Sequence, residues 1–361
     1  MSRQIFVRVI LLGLIALGLL LALFSTYGWQ QGFAVGSGLW HLMKPRHAPA
    51  VSNVALPDVA WQQVTWMGDI ENVNLRESSG LTASPVHDNV LWSINDSGSA
   101  PTLFALDERG ADLGEWPINV DKAVDWESLD SFVLDGVSYL VIGDTGDNFR
   151  WRPFVWLLVV AEPTDLSRRG EVLDVAWKLE FSYPEGFRDS EAMAVDIASQ
   201  SFYVLSKRHY PPELFRLPLQ SEHRVTAEFV REMVQLPRYT EEEYRLDDDA
   251  YYRHMPSGMD IAGDALLITT YQHAYLFSFD NLDQDPLRVM LPSIGQRESI
   301  SFAKDSDSRA YVTKERHEGK GVADVFRVDF SRSAQPSISF SGCPERLPDL
   351  LSSPDENSLY R

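Results

Sequence analysis

A three-residue motif that recurs five times constrains the fold of this chain more than any other feature. Each copy has Glu or Ser, then a small residue, then an aliphatic residue or Met. The copies begin about 40 to 65 residues apart, and a unit of that size cannot bury an apolar face by itself. The units must therefore pack against one another. The five copies are Ser79-Gly80-Leu81, Glu127-Ser128-Leu129, Glu191-Ala192-Met193, Ser257-Gly258-Met259 and Glu298-Ser299-Ile300.

Short apolar and aromatic segments follow most copies of the motif after a turn, as in residues 90–94, 201–205 and 309–313. Many short strands of this kind are typical of sandwiches, barrels and propellers. Five copies on five inner strands predict an all-β fold, a β-propeller of about five blades. Residues 61–67 precede the first copy, and we expect them to supply the outer strand of the last blade, which removes an exposed sheet edge.

The composition is that of an acidic globular protein. The 361 residues carry a formal charge of −20, from 52 acidic and 32 basic side chains. Such a chain repels phosphate backbones, so we expect no nucleic acid partner. The acidity fits a solvated exported surface or a surface that collects cations. The single cysteine, Cys343, provides neither an internal disulfide nor a cysteine-based zinc cluster.

The N-terminus has the pattern of an export signal. Arg3 and Arg8 precede an uninterrupted apolar run, residues 9–24, which Tyr27 and Trp29 follow. Basic residues before the run predict a cytoplasmic N-terminus and an exported remainder. Because no A-x-A cleavage site follows, the pattern favours an uncleaved signal anchor over a cleaved signal peptide. We therefore predict a transmembrane helix within residues 1–29, in the bacterial inner membrane, with the rest in the periplasm; the alternative is a protein secreted after cleavage.

Composition divides the remaining chain into three parts. Residues 30–58 are rich in Gly and Pro and predict a linker, residues 59–332 contain the repeats, and residues 333–361 predict a loosely structured tail. The longest interval between motif copies contains an acidic insert at 240–253. Its segment Thr240-Glu241-Glu242-Glu243 has capping-box spacing, which predicts a helix over the mouth of the ring or a solvated decoration.

Five segments resemble those of bacterial exported β-propellers of the SdiA-regulated and esterase-like phytase type. The resemblance covers roughly residues 65–330. It implies a propeller with calcium in the channel of some members, and many members have no established activity. The segments are residues 77–81, 90–98 (VLWSINDSG), 125–129, 142–148 (IGDTGDN) and 188–196 (RDSEAMAVD).

Inner strands line the channel of a propeller, so the first residues of the five motif copies are expected to form a ring. Glu127, Glu191 and Glu298 would share this ring with Ser79 and Ser257. Crowded carboxylates repel one another, and a bound cation relieves the repulsion. Oxygen ligands without Cys or His suit calcium, or magnesium, rather than zinc. Asp96 and Asp144 follow second strands and are expected either at the same mouth or as turn formers.

Basic residues provide a competing explanation for the same ring. They could neutralise the glutamates through ion pairs with no metal present. The candidates near the ring positions or at the ends of second strands are Arg76, Arg188, Arg297, Lys207 and Lys314.

The sequence contains little that predicts nucleophilic catalysis. It has no G-x-S-x-G elbow and no Gly-rich phosphate loop. His254 lies three residues before Ser257, and this pair is a weak catalytic candidate. Two functions remain open. The first is a metal-stabilised module that binds an unknown small ligand or a periplasmic protein at the channel mouth. The second is a calcium-dependent hydrolase of phosphoesters, esters or lactones, in which a ring Glu or a nearby His activates water.

Overall fold

The five motif copies form five inner strands that contact one another in a closed ring. The computed structural model describes residues 56–220, 223–246, 250–292, 297–314 and 323–334. Within these residues each copy begins a separate β-sheet, and each inner strand contacts the inner strands of the two neighbouring sheets. The predicted all-β propeller of five blades is therefore confirmed.

Each blade runs outward from its inner strand through antiparallel neighbours. Blade 1 contains β2 (Ser78–Ala83), β3 (Val90–Asn95), β4 (Thr102–Asp107) and β5 (Asp112–Pro117). Blade 2 contains β6 (Trp126–Leu134), β7 (Val137–Asp144), β8 (Val155–Ala161) and β9 (Val175–Ser182), with β13 (Val225–Thr226) added in parallel at its edge. Blade 3 contains β10 (Ser190–Asp196), β11 (Ser201–Ser206), β12 (Glu213–Pro218) and β14 (Glu228–Glu232).

The first strand of the chain completes the last blade. Blade 4 contains β15 (Pro256–Ala262), β16 (Ala265–Thr270), β17 (His273–Ser278) and β18 (Leu287–Met290). Blade 5 contains β19 (Ser299–Phe302), β20 (Arg309–Thr313) and β21 (Asp324–Phe330), and β1 (Gln62–Asp69) pairs antiparallel with β21. The sequence prediction for residues 61–67 is confirmed: the outer edge of β21 is covered by a strand from the opposite end of the repeat region, which closes the ring.

The apolar core is divided into five layers between adjacent blades. Between blades 1 and 2, Trp92 packs edge-to-face on Trp116 with ring centroids 5.3 Å apart, and Trp126 is buried in the same layer. Leu56 and Val59 belong to the layers on either side of blade 4. Because every layer needs two blades, no blade buries its faces alone, as the repeat length implies.

The small residue at the second motif position allows the inner strands to approach closely. A Cβ added to Gly80 would lie 2.7 Å from the backbone nitrogen of Leu129 on the next inner strand. At Gly258 the added atom would lie 3.3 Å from the nitrogen of Ile300. The motif therefore needs a small side chain here because the backbone of the next blade occupies the adjacent space.

A fourth motif position links the blades by hydrogen bonds, and the sequence analysis did not identify it. The Asp130 carboxylate accepts a hydrogen bond from the Val195 amide of the next inner strand at 2.7 Å. Asp260 accepts one in the same way from Phe302, also at 2.7 Å. Both aspartates stand three residues after the first motif residue, so extending the motif by one position would have identified them.

The insert before blade 4 is helical, as predicted. Helices α1 (Glu241–Leu246) and α2 (Ala250–Arg253) occupy it. The capping box is formed in both directions: Thr240 N donates to Glu243 Oε2 at 2.6 Å, and Glu243 N donates to Thr240 Oγ1 at 3.0 Å. Two amide groups at the helix start are thereby satisfied.

The predicted anchor at residues 1–29 and most of the predicted linker and tail lie outside the described residues. Among the residues from 56 to 334 that the structure describes, no helix has the length and apolar character needed to cross a membrane.

Replacing Gly80 by Ala is expected to destabilise the ring. The new Cβ meets the Leu129 backbone, which cannot move without separating two inner strands, and overpacking of this kind costs about 1–3 kcal/mol. Chemical denaturation of the full-length protein measures the free energy of unfolding. Gly136→Asn is the control, because Gly136 lies in an open turn at φ +79° that Asn tolerates. Equal stability of the two variants would contradict the close-packing explanation.

Candidate functional site

In four of the five inner strands, the first motif residue lies at a β-bulge. The pairing with the second strand skips one residue at each of these points, and the skipped residue is the first motif residue: Ser79, Glu127, Glu191 or Ser257. Bulges of this kind redirect a side chain and often occur next to binding sites. The fifth residue, Glu298, directly precedes β19.

The redirected side chains meet at the axis of the ring. Ser79, Glu127, Glu191 and Glu298 line a common central cavity of about 10 Å³. This volume is close to that of a single water-sized sphere. The structure therefore brings the three ring glutamates into one small space, where each is less than 9% exposed.

Three carboxylates converge at one side of this cavity. One oxygen each from Asp96, Asp125 and Glu127 lies within 4.8 Å of the others. We call these three residues the carboxylate triad. The sequence analysis named Asp96 and Glu127 as metal ligands. It did not name Asp125, which lies two residues before Glu127 in the segment 125–129.

Glu127 of the carboxylate triad is buried, whereas Asp96 and Asp125 are partly exposed. Burial, and then the charges of Glu298 and Asp125, raise the pKa of Asp96 to about 8. Burial and the neighbouring charge of Asp96 also raise the pKa of Glu127 well above its usual value. Among the described residues, no Lys or Arg side chain forms an ion pair with any member of the triad.

A glycine makes room for two of the three carboxylates. A Cβ on Gly146 would lie 2.5 Å from Asp125 Oδ2 and 2.7 Å from Glu127 Oε1. The Gly146 amide also donates to the Asp125 carbonyl at 3.2 Å. Any larger residue at position 146 would push the two carboxylates apart, so the loop after β7 helps to define the triad.

The other two ring glutamates have partners. Lys207 Nζ, 4% exposed, forms an ion pair with Glu191 and donates to Tyr271 Oη at 3.3 Å. Burial alone would lower the pKa of Lys207, but the charge of Glu191 raises it well above its usual value, so the ammonium stays charged. The Tyr271 hydroxyl donates to Glu298 Oε1 at 2.5 Å. The predicted neutralisation by Lys207 thus occurs, but at Glu191 and not at Glu127.

Three of the four other predicted cations contact other groups. Arg188 pairs with Glu213 at 2.5 Å, Lys314 lies 3.9 Å from Asp324, and Arg297 donates to the carbonyl of Tyr271. The charges that partly offset the raised pKa values in the triad are those of Arg152 and Arg208 at Asp125 and of Lys207 at Glu127, without a direct ion pair.

Three of the predicted metal ligands are engaged in structural contacts. Asp144 Oδ1 lies 2.5 Å from Arg152 Nη2, so this carboxylate already has a cation. Ser79 Oγ donates to the Trp126 carbonyl at 2.9 Å, and Ser257 Oγ donates to the Arg297 carbonyl at 2.8 Å. Each serine forms a hydrogen bond to the backbone of the next blade. The motif, which has Ser in two copies and Glu in three, does not predict this role.

Ser257 and His254 do not form a nucleophile–base pair in the described structure. The Ser257 hydroxyl is fully buried and donates to a backbone carbonyl. Neither ring nitrogen of His254 has a hydrogen-bond partner among the described residues, and its Nε2 lies 3.7 Å from Glu243 Oε1. His254 instead lines a separate pocket beside the ring.

The metal-free protein is expected to lose stability as the pH rises from about 4 to about 8. Folded Asp96 keeps its proton up to a pKa of about 8, whereas an unfolded aspartate ionises near pH 4. Between these values the folded state binds more protons than the unfolded state, so the free energy of unfolding falls with rising pH. Thermal unfolding of the full-length protein in metal-free buffers across this range measures the effect.

Asp96→Asn removes this titration and should make the pH dependence shallower. Asp135→Asn is the matched control, because Asp135 lies exposed at the far end of β6, the strand that carries Glu127, in a left-handed conformation that Asn accepts. If Asp96→Asn and Asp135→Asn show the same dependence on pH, the raised pKa of Asp96 is wrong.

Comparison with known proteins gives only distant matches among solved structures. No family model and no curated protein matches the chain. Solved structures that match include a PQQ-bound aldose sugar dehydrogenase from Streptomyces coelicolor, with 12% identity, a TM-score of 0.43, and 76% of this chain and 100% of that chain covered. A gluconolactonase from Xanthomonas campestris matches with 12% identity, a TM-score of 0.42, and coverage of 80% and 99%. A nidogen/laminin complex matches with 11% identity, a TM-score of 0.39, and coverage of 70% and 84%. Likeness this distant indicates no activity for this chain, and the resemblance to SdiA-regulated and phytase-type propellers stays a prediction.

Proposed function

We propose that this chain is a periplasmic β-propeller, tethered to the bacterial inner membrane by residues 1–29, that holds a calcium ion at its channel mouth and binds a ligand or protein partner there. The observation that carries the proposal is the carboxylate triad, in which one buried and two partly exposed acids converge without an ion-pair partner among the described residues.

The donor set of the triad fits calcium. Calcium prefers oxygen ligands at about 2.3–2.6 Å in flexible geometry. Ligand oxygens on one ion are then at most about 5 Å apart, and the triad oxygens lie within 4.8 Å of one another. Asp96, Asp125 and Glu127 would hold the ion, and its charge would compensate the repulsion that otherwise favours their protonated forms. The space left by Gly146 keeps two of these carboxylates together.

The membrane tether follows from the N-terminal sequence. Arg3 and Arg8 before the apolar run favour a cytoplasmic N-terminus, which would put the propeller and its site in the periplasm. Protease treatment of spheroplasts tests this orientation. Digestion of the propeller only after the inner membrane is opened would refute it.

Calcium is expected to bind the metal-free full-length protein and raise its thermal unfolding midpoint. A ligand that binds only the folded state adds about 2.7 kcal/mol of stability at a hundredfold excess over its dissociation constant. Glu127→Gln removes one charged ligand and should weaken calcium binding by about tenfold or more. Isothermal titration calorimetry with calcium chloride measures the affinity.

Asp135→Asn serves again as the control and should bind calcium like the unmodified protein, because it changes an exposed carboxylate on the same strand. The triad would be excluded as the calcium site if Glu127→Gln and Asp96→Asn both kept the original affinity. No calcium binding by the unmodified protein would overturn the proposal.

A calcium-dependent hydrolase is the second candidate, favoured by one member of the triad. Burial is the main cause that raises the pKa of Asp125 to about 6. A carboxyl group with such a pKa can accept and release a proton near neutral pH, as a general base must. In this alternative Asp96 and Glu127 would hold the ion, which would polarise a carbonyl or phosphoryl oxygen when bound, and Asp125 would stay outside the ligand set and accept a proton from an attacking water.

Hydrolysis is tested with p-nitrophenyl acetate, p-nitrophenyl phosphate and glucono-lactone, each with and without calcium. A hydrolase should show calcium-dependent turnover that falls by about a hundredfold or more in Asp125→Asn, since general bases contribute 10²–10⁴ in rate. Turnover that is absent, or that Asp125→Asn leaves unchanged, would leave the binding function as the only proposal.

A further inference from the structure

A basic pocket lies beside the ring glutamates of this acidic protein. Its volume is about 350 Å³, at the small end of the range for ligand pockets, roughly 300–1,000 Å³. Four cations, Arg150, Lys207, Arg208 and Arg238, line it together with His254. We call this cavity the basic pocket. Such a concentration of positive charge contrasts with the formal charge of −20 on the whole chain.

Lys207 and Arg208 build the pocket wall that faces the channel. Lys207 pairs with Glu191 of the ring, and Arg208 pairs with Asp189 and lies 3.7 Å from Glu191 Oε1. All of these side chains are at most 10% exposed. Their charges are largely compensated, so this wall is a rigid support and supplies little of the pocket's net charge.

Arg238 and Arg150 supply positive charge without a carboxylate partner among the described residues. The Arg238 guanidinium lies over the ring of Tyr210, 4.1 Å from its centroid, and its buried Nε has no hydrogen-bond partner. Arg150 donates through Nη2 to the carbonyl of Arg208, a neutral acceptor. A guanidinium stays charged at any physiological pH and has five donors, so both arginines retain donors for an anion.

His254 adds further unsatisfied polar atoms to the same wall. It directly follows α2, and its side chain is only 11% exposed. Nδ1 has no hydrogen-bond partner among the described residues, and Nε2 lies 3.7 Å from the Glu243 carboxylate. Buried polar atoms normally have partners, and a missing one costs free energy unless a ligand or water supplies it. The capped insert therefore positions an imidazole where a bound molecule can reach it.

The rest of the lining is apolar or aromatic. Tyr239, Pro212 and Met255 are buried in the wall, and Tyr210 is 38% exposed at the rim. Tyr210 is therefore the lining residue that still offers apolar surface to a ligand. An aromatic or apolar body attached to the anionic group would cover it and gain the free energy of burying apolar area.

We propose that the basic pocket binds a small organic anion whose carboxylate or phosphate group contacts Arg238, Arg150 and His254, and whose apolar or aromatic body packs on Tyr210. This deepens the proposed function by naming the class of ligand at the channel mouth. The binding of the anion itself needs no calcium, because its partners are the arginines and the histidine.

Isothermal titration calorimetry on the full-length protein tests the pocket with four probes: phenyl phosphate, benzoate, inorganic phosphate and benzyl alcohol. Metal is removed beforehand on a chelating resin, since a soluble chelator is itself an anion. We expect phenyl phosphate or benzoate to bind more tightly than inorganic phosphate, and benzyl alcohol, which has the same ring without the charge, to show no binding. The two aromatic anions distinguish a phosphate from a carboxylate ligand.

Arg238→Gln should weaken binding of the preferred anion by about tenfold or more, because a charged hydrogen-bonding partner is lost. Arg216→Gln is the matched control: Arg216 belongs to the same blade but is exposed and pairs with Glu228 away from the pocket. His254→Gln keeps a donor and should weaken binding less than Arg238→Gln. Thermal unfolding checks that each variant is folded.

The outcomes separate this inference from the calcium proposal. Anion binding that Arg238→Gln and His254→Gln both leave intact, equal binding of benzyl alcohol, or no binding of any anion at millimolar concentration would each overturn the pocket. Calcium binding lost in Glu127→Gln with anion binding retained would support two independent sites. Anion binding without any calcium binding would refute the calcium proposal and leave the pocket standing.

Discussion

The closure of five inner strands around one axis is the constraint on which the rest of the structure depends. The strands approach so closely that the backbone of Leu129 occupies the space where a side chain on Gly80 would lie. At the same level a bulge turns Glu127 and Glu191 into a cavity of about 10 Å³. Ring closure thus removes carboxylates from water and brings them close to one another, and both effects cost free energy.

The structure compensates this cost on only one side of the axis. At Glu191 and Glu298 the charge is shared with Lys207 and Tyr271, which supply a cation and a hydroxyl donor. At Glu127 the neighbours are two more acids, Asp96 and Asp125. The fold places a cation and a hydroxyl donor beside Glu191 and Glu298, and it places no such pair beside Glu127. The half without a direct ion pair is therefore where we propose that a cation binds, since acids with perturbed pKa values cluster at functional sites.

The repeated motif predicted the positions of the inner-strand residues. The contacts made by residues in the loops between strands could not be predicted in this way. The motif predicts that Glu127, Glu191 and Glu298 meet, because equivalent positions of a ring must do so, and it predicts the closing role of residues 61–67. It does not predict that Asp144 forms an ion pair with Arg152, eight residues further along the chain. Nor does it identify Asp125, whose position relative to Glu127 depends on the glycine at 146 in another loop. Such contacts depend on the conformation of individual loops, and no repeat in the sequence indicates that conformation.

The basic pocket is also formed by loop residues whose proximity the sequence does not predict. The residues Arg150, Arg208, Arg238 and His254 come from three separate connections: β7–β8, β11–β12, and the one between blades 3 and 4. Overall composition also argues against a positive site in so acidic a chain. Yet net charge is a sum over the whole surface, whereas a ligand responds to the groups within a few ångströms. The ion pair with Glu191 holds Lys207 in the pocket wall and offsets its charge, so the positive charge that a ligand meets comes from Arg238 and Arg150. The ring and the pocket therefore share one lysine as a structural support, and the cation that we propose at the ring and the anion that we propose in the pocket depend on different residues.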